Sequence, residues 1–462
     1  MSLRTKVLRG GAYLVLRQGL GIAIGTLGIV LLTRALGPEA YGLYMAAFGI
    51  NVFLISLSSW GVNIYLIRQE EEPQPRDYHQ AFSLLLLFSS AGTGSAILLL
   101  PLLERWMQIE GFGPVAIAVF LLLPVTVLGM VPMARLERAL NYRAVALIEL
   151  SGQIILYAVS LPLAYRGLGP WAPVAGLWAK ELFASSLLYW ASAYWPRLHW
   201  EPARVRAMSG YGLGYSTSLL LSEAHYLVNP LIVGRYAGAE AVGYVALAMR
   251  IAEQLSFVTT AVSRIATAAL ARLQKDRARL AKAISEGLSL QVMVLGPILG
   301  GFGLVAPWIF PLVFGSSWLP VLEVYPFLAL FFLFRAGVNL YVHSLYVLRK
   351  NWEVAAVFLV HLILLTVVAL LLVPHLGFKG YGWAEMAAIP SYILFLVWFQ
   401  FYIGGARYAP AMVWFTAWAV ALFSWQLGPW AWVSITIPLL WSKTRTELLQ
   451  AVATVLRSTR GP

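Results

Sequence analysis

The chain has 462 residues, of which 60% are hydrophobic and only 11% are charged, and its mean hydropathy is +0.75. Soluble domains carry roughly 25% charged residues, so the composition excludes a soluble protein and indicates a polytopic membrane protein. The net charge is +13 and there is no cysteine. Disulfides, thiolate metal sites and cysteine nucleophiles are therefore excluded, and the positive charge fits cytoplasmic loops better than nucleic-acid binding.

Apolar segments follow one another along the whole chain, most of them long enough to cross a hydrocarbon core of about 30 Å. They lack the alternation of barrel strands and therefore predict helices. The basic start MSLRTKVLRGG is similar to a secretory signal, but its apolar segment continues past Arg17, which predicts an uncleaved first helix. The fourteen predicted spans are 11–33, 41–66, 80–103, 112–133, 144–165, 170–195, 210–236, 242–270, 286–313, 321–348, 353–373, 377–402, 409–426 and 429–442.

The basic residues are distributed unevenly between the two sides that these spans define. With the N-terminus inside, 23 of the 33 lie in inward segments, and the other ten lie in outward loops or within spans. Because Lys and Arg accumulate in cytoplasmic loops, this asymmetry predicts a multi-pass protein of the plasma (inner) membrane with both termini in the cytoplasm.

One turn motif occurs twice. LLTRALGPEAYGLYMAAFGI (31–50) and IVGRYAGAEAVGYVALAMRI (232–251) align without gaps and share seven residues, including the Arg, Gly, Glu and Gly of the turn. Each copy covers the outward turn between the first two helices of a set of six. The fold class predicted is all-α, with two pseudo-symmetric six-helix lobes around a central cavity and two extra C-terminal helices. The predicted divisions are 1–195, 196–402 and 403–462.

We interpret the turn as a structural feature without a chemical role. Gly37 and Pro38 are expected to stop one helix, and Glu39 complements the dipole of the next. Gly42 is expected to let two helices approach closely. Lobes duplicated in parallel are typical of transporters that rock about a central site, although duplication for packing alone is the alternative.

Charges within the spans are the candidates for function, since each costs about 2.5–3.5 kcal/mol on insertion scales. Arg335 lies near the middle of the tenth span, and Asn339 and His343 follow at four-residue steps on the same face. Arg17 lies in the first span, where snorkelling to the inner surface is the alternative. Arg250 lies in the eighth. An interior with several arginines predicts an anionic ligand such as a phosphate or diphosphate head group.

Three further groups are candidates for coupling to an ion gradient. Glu253 shares a helix face with Arg250, with which it could form an ion pair that has no ligand. His225 lies on a polar stripe of the seventh span, and Glu223 is beside it. These groups predict coupling to H⁺ or Na⁺, with the membrane potential as the alternative energy source, and no cofactor.

The residues that nucleotide hydrolysis and metal binding require are missing from the sequence. There is no G-x-x-x-x-G-K-[ST] motif, both aspartates fall in inward loops and the six histidines have no metal-ligand spacing. We therefore predict no catalytic residue, no metal site and no nucleic-acid partner. A membrane glycosyltransferase or polysaccharide polymerase is the alternative of another class, and it would need acidic residues in outward loops, where Glu104 and Glu110 are candidates.

Three segments carry a resemblance to a known family. They are RALGPEAYGLYMAAFGI after a short basic N-terminus, GRYAGAEAVGYVALAMRI in the second copy, and the inward segment RLERALNYR. They resemble the polysaccharide-exporting (Wzx-type) flippases of the multidrug/oligosaccharidyl-lipid/polysaccharide (MOP) superfamily. The resemblance in topology covers the whole chain, and the motif marks the family and not the substrate.

The resemblance implies two helix bundles around a cationic cavity that carry an undecaprenyl-diphosphate-linked oligosaccharide from the cytoplasmic to the outer leaflet. In such transporters a basic residue in the first helix is common, and Arg17 stands at a matching place. The expected partners are the polyprenyl-diphosphate-linked glycan, the lipid bilayer, and a polysaccharide polymerase or glycosyltransferase. The alternatives within the superfamily are a lipid II flippase and a multidrug exporter, of which the exporter would favour acidic sites.

Overall fold

The computed structural model describes residues 3–69, 71–257, 276–348, 350–405 and 408–449, and these are almost entirely helical. The part of the eighth predicted span beyond residue 257, and the tail from residue 450, lie outside the described residues. The helices are α1 (Leu3–Ser59), α2 (Val62–Arg68), α3 (Pro75–Met107), α4 (Phe112–Phe120), α5 (Leu123–Arg138), α6 (Tyr142–Tyr165), α7 (Trp171–Ser192), α8 (Pro202–Ala224), α9 (Gly234–Leu255), α10 (Arg277–Val313), α11 (Val321–Val347), α12 (Asn351–Leu376), α13 (Phe378–Ala388), α14 (Ile393–Tyr402), α15 (Ala409–Leu422), α16 (Ser424–Leu427) and α17 (Thr436–Leu440).

The predicted spans and the helices correspond. Within the described residues, nine helical segments are long and apolar enough to cross a membrane. Two of them, Arg17–Ser59 and Ser216–Leu255, each run from one predicted span into the next across a kink. The sixth predicted span is α7, and the last two are the shorter apolar helices at Ala409–Leu422 and Pro429–Leu440. The prediction of an all-α polytopic membrane protein is therefore confirmed.

Both copies of the turn motif break their helix at the same glycine. Gly37 has φ 74° and ψ 172°, and Gly238 has φ 82° and ψ 179°. A positive φ is strained for a residue with a Cβ, so glycine permits this break at little cost. Helical geometry resumes at the next residue in each copy, and the turn is a single-residue kink rather than a loop.

The two turns also pack against each other. A Cβ placed on Gly42 would lie 1.8 Å from the carbonyl oxygen of Ala239, and one placed on Gly243 would lie 2.4 Å from that of Pro38. The expectation that Gly42 permits a close approach is thus supported, and its matched residue in the second copy does the same in return.

The seventh predicted span is not a continuous helix. After α8 the chain passes through a 3₁₀ turn at His225–Leu227 and a π-helical segment at Asn229–Val233. Pro230 lies in the wider segment and cannot donate a backbone hydrogen bond. The indole of Trp106 on α3 donates to the carbonyl of Leu231 in the same segment, 2.8 Å away. Broken helices of this kind are tolerated in membranes where neighbouring groups satisfy the backbone.

The chain divides into two compact units, 1–243 and 244–462. The first unit extends beyond the predicted lobe boundary at residue 195, because α8 and the 3₁₀ and π segments that follow it pack against α1. In the second unit α11 is the central helix, and it contacts α10, α12, α13, α14 and α15.

Candidate functional site

Arg17 has an acidic partner that the sequence did not reveal. Its Nε lies 2.8 Å from Oε2 of Glu149 on α6, and both side chains are about one-third exposed. The guanidinium also donates to the side chain of the adjacent Gln18, at 3.1 Å. Arg17 is therefore largely neutralised within the first unit, and a ligand anion would have to compete with Glu149 for it.

Arg250 and Glu253 form the intrahelical pair that was the alternative to ligand binding. Arg250 Nη1 lies 3.1 Å from Glu253 Oε2, with the two side chains 46% and 48% exposed. An ion pair this exposed contributes little to stability, so both groups remain accessible.

The polar stripe on α11 is the accessible face of an otherwise buried helix. From Val324 to Leu345, the residues that are not buried are Phe334, Arg335, Asn339 and His343. Their spacing follows the helical period, so the predicted face is also the open one. The guanidinium of Arg335 lies over the ring of Phe331, 5.9 Å from its centroid. The second unit therefore exposes a cation, an amide and an imidazole in one row along an apolar scaffold.

The two coupling candidates of the seventh span lie where that helix breaks. Glu223 is half-buried near the end of α8, and His225 is buried in the 3₁₀ turn. The Nδ1 of His225 contacts the carbonyl of Ser222 in the preceding turn.

The second unit contains a buried pair that sequence reasoning missed. His361 on α12 and Glu385 on α13 have side chains 4% and 0% exposed, and Nε2 of the histidine lies 3.7 Å from Oε2 of the glutamate. Neither atom has a hydrogen-bond partner within the described residues. Both residues lie in predicted spans, so the rule that draws attention to intramembrane ionisable groups applies to them as well. Only their pairing across the two helices needed the structure.

The surroundings of this pair fix its orientation. His361 Nδ1 lies 3.2 Å from the hydroxyl of Ser391 and 3.3 Å from the carbonyl of Ala388. Because a carbonyl only accepts, Nδ1 carries a proton and Nε2 faces Glu385 as the titratable nitrogen. The hydroxyl of Tyr381 donates to Glu385 Oε1 at 2.8 Å.

The imidazole is also enclosed by aromatic rings and lies near a cation. Its ring contacts those of Phe331 and Tyr392, with centroids 5.7 Å and 4.7 Å away, and these two rings also lie 6.5 Å from each other. Arg335 lies within electrostatic range of both His361 and Glu385. Arg335 of the polar stripe therefore interacts electrostatically with the buried pair. Within the described residues, no group of three or more His, Asp or Glu is placed to hold a metal ion.

Comparison of the chain with known proteins gives one family model and a set of distant relatives. The model described as "Polysaccharide biosynthesis protein" matches residues 31–323. The amylovoran biosynthesis protein AmsL of Erwinia amylovora is 25% identical over 194 residues, which are 41% of this chain and 50% of that protein. The teichuronic acid biosynthesis protein TuaB of Bacillus subtilis (strain 168) is 25% identical over 213 residues, 44% of this chain and 43% of that protein. The matches thus span about half the length of these relatives.

Solved structures share the fold over most of the chain. The lipid II flippase MurJ in an inward closed conformation superposes with a TM-score of 0.72 at 13% identity, over 98% of this chain and 99% of that one. An inward-facing multidrug resistance MATE family transporter of the MOP superfamily gives a TM-score of 0.65 at 15% identity, over 83% of this chain and 94% of that one. At such identities the likeness concerns the fold.

Proposed function

Because the chain belongs to the polysaccharide biosynthesis protein family, we propose that it is a flippase that moves an undecaprenyl-diphosphate-linked oligosaccharide from the cytoplasmic to the outer leaflet by alternating access. The fold shared with MOP superfamily transporters supports a transporter rather than an enzyme. The biosynthetic names of the two relatives support a glycan as the cargo.

The observation that carries the substrate assignment is the open stripe of α11. Arg335 can hold phosphate oxygens bidentately, and Asn339 and His343 offer further polar groups in the same row. Arg250 is also exposed, and it is a further candidate to contact the head group. Arg17 takes part only when a diphosphate displaces Glu149. A few cations suit a flippase, since the head group must be released on the far side.

The test is head-group translocation in proteoliposomes that contain a fluorescent undecaprenyl-diphosphate sugar, followed by accessibility to an added quencher. Arg335→Gln is expected to slow the initial rate by about 10-fold or more, which corresponds to the loss of one charge-assisted hydrogen bond. Arg279→Gln is the matched control, because Arg279 is 77% exposed at the start of α10 and pairs with Asp276. Equal rates for Arg335→Gln and the wild type would contradict the assignment. Lipid II and a cationic drug, offered in the same assay, distinguish the two alternatives from the superfamily.

Beside Glu223, His225 and Glu253, we propose His361 and Glu385 as a further candidate site for coupling to a proton gradient. If both groups of the buried pair were deprotonated, lone pairs of Nε2 and Oε2 would face each other across 3.7 Å of apolar interior. One proton between them removes this repulsion, whether as a neutral hydrogen bond or as an ion pair. Arg335 connects this proton to the substrate stripe, because it lies near both groups.

A proton-coupled flippase should respond to a transmembrane pH difference. One pH unit is worth about 1.4 kcal/mol per proton, so it should change the steady-state ratio of flipped to unflipped head group about tenfold. Glu385→Gln preserves the shape of the side chain but removes its ability to bind and release a proton. In this variant the pH difference should change the ratio of flipped to unflipped head group by a factor close to one. A response unchanged in Glu385→Gln would exclude the pair as the coupling site and leave the assignment of Arg335 intact.

A further inference from the structure

The first unit contains a cavity of about 420 Å³ outside the substrate stripe and the buried pair. It lies where three segments meet: the start of α3, the α5–α6 junction and the residues after α7. These are segments that the charge distribution predicts to be cytoplasmic, and the structure gathers them at one end of the unit. The lining residues are Glu72, Pro73, Pro75, Tyr78, His79, Arg135, Arg138, Ala139, Ala193, Tyr194, Trp195 and Arg197.

The lining carries a net positive charge. Three guanidinium groups, those of Arg135, Arg138 and Arg197, face one carboxylate, that of Glu72. Arg135 and Arg197 both lie within electrostatic range of His79, so these two guanidinium groups act on the same part of the lining. Like charges gathered around a cavity repel each other, and an anion bound among them relieves that repulsion.

Two of the three arginines, Arg135 and Arg138, are held in place by backbone carbonyls. Arg138 donates to the carbonyls of Leu66, Ile67 and Gln69 at 3.2, 3.0 and 2.7 Å, so its geometry is fixed while its charge is retained. Arg135 Nη1 donates to the carbonyl of Ala193 at 3.3 Å. Fixed donors with uncompensated charge are the arrangement that phosphate groups bind.

The remaining lining is aromatic. Tyr78 and Tyr194 are buried, and the Tyr194 hydroxyl donates to the carbonyl of Tyr78 at 3.1 Å. Trp195 is 77% exposed at the rim. Rings in these positions offer flat surfaces to a sugar or a base, and the volume lies in the range of small-molecule sites.

We infer that this cavity binds a phosphate or diphosphate ester at the cytoplasmic end of the first unit, separately from the translocation of the cargo. The shared chemistry is the phosphoryl group. It can come from a soluble nucleotide-like molecule or from an anionic lipid head group that reaches the cavity from the bilayer.

Two binding measurements distinguish these sources, and neither requires transport. Inorganic diphosphate is titrated calorimetrically into the full-length protein in nanodiscs of phosphatidylcholine alone. Phosphatidic acid is added to detergent-solubilised protein, and bound lipid is counted by native mass spectrometry. Arg197→Gln and Arg135→Gln should each weaken binding about tenfold or more, as expected for a lost charge-assisted hydrogen bond.

Two further variants distinguish binding within the cavity from a general attraction of anions to the positive charge of the protein. Glu72→Gln removes the carboxylate of the lining and should tighten binding, a change that loss of structure would not produce. Arg76→Gln removes one charge from an exposed position on α3 beside the cavity and should change nothing. Because Arg197 is exposed, its variant is expected to fold even if that of Arg135 does not.

The outcomes are as follows. Binding in the first measurement alone assigns the site to a soluble phosphate ester, binding in the second alone assigns it to a lipid head group, and binding in both supports the shared phosphoryl chemistry. Failure of both probes to bind overturns the inference. Equal losses in Arg76→Gln and the cavity variants overturn it as well. None of these results depends on whether the protein flips a glycan.

Discussion

Replacing Gly42 by alanine tests the packing of the two turns against each other. The new Cβ would lie 1.8 Å from the carbonyl oxygen of Ala239, where ordinary contact begins at 3.4 Å. The obstructing atom belongs to the backbone and cannot rotate away, so the turns must separate by more than an ångström. Overpacking of this kind costs about 1–3 kcal/mol, and the upper end applies here. The higher helix propensity of alanine returns about 1 kcal/mol, which leaves a net loss of about 2 kcal/mol.

The free energy of unfolding in mixed micelles measures this loss. Gly243→Ala, whose Cβ would lie 2.4 Å from the carbonyl oxygen of Pro38, should give a smaller loss of the same sign. Gly94→Ala is the control, because that glycine lies within α3 with no other atom within 4 Å of the added Cβ, and it should be neutral or stabilising. The reasoning fails if Gly42→Ala is as stable as the wild type, or if Gly94→Ala is destabilised equally.

Two further predictions concern ion pairs of the first unit. Arg17→Gln should lower stability by about 1–3 kcal/mol because Glu149 loses its partner, and adding Glu149→Gln should restore part of the loss in the same unfolding measurement. A hydrogen bond from Arg204 lowers the pKa of Glu201, so this contact stabilises fully above the ordinary value of 4.5 and is lost as the pH falls through the lowered one. Glu201→Gln should therefore make the melting temperature less sensitive to acid, and an unchanged acid profile would show that the contact contributes nothing.

Features set by local chemistry could be predicted from the sequence. The kinks at Gly37 and Gly238 follow from glycine beside a helix-starting acid, and both occur. The stripe of Arg335, Asn339 and His343 follows from the helical period, and these are among the few accessible positions of their helix. In each case the determinants lie within one or two helical turns of each other.

Features set by distant partners could not be predicted. The cost of placing Arg17 in a membrane is visible from its position, but its partner Glu149 lies 132 residues away on another helix. His361 and Glu385 are each visible as intramembrane ionisable residues, yet their importance depends on a 3.7 Å approach between two helices. Pro230 predicts an interruption of the helix in the seventh span. Whether the helix kinks, ends or widens into a π segment depends on the residues that surround it.

Arg138 also determines when, during synthesis of the chain, the carbonyls at the end of α2 can acquire a hydrogen-bond donor. Its guanidinium supplies donors to the carbonyls of Leu66, Ile67, Gln69 and Glu71 at the end of α2. The ribosome adds Arg138 about 70 residues after these acceptors, by which time α3 and α4 have already been synthesised. These carbonyls therefore lack their guanidinium donor until α5 has been synthesised, and a chain stalled before that point would leave them to water.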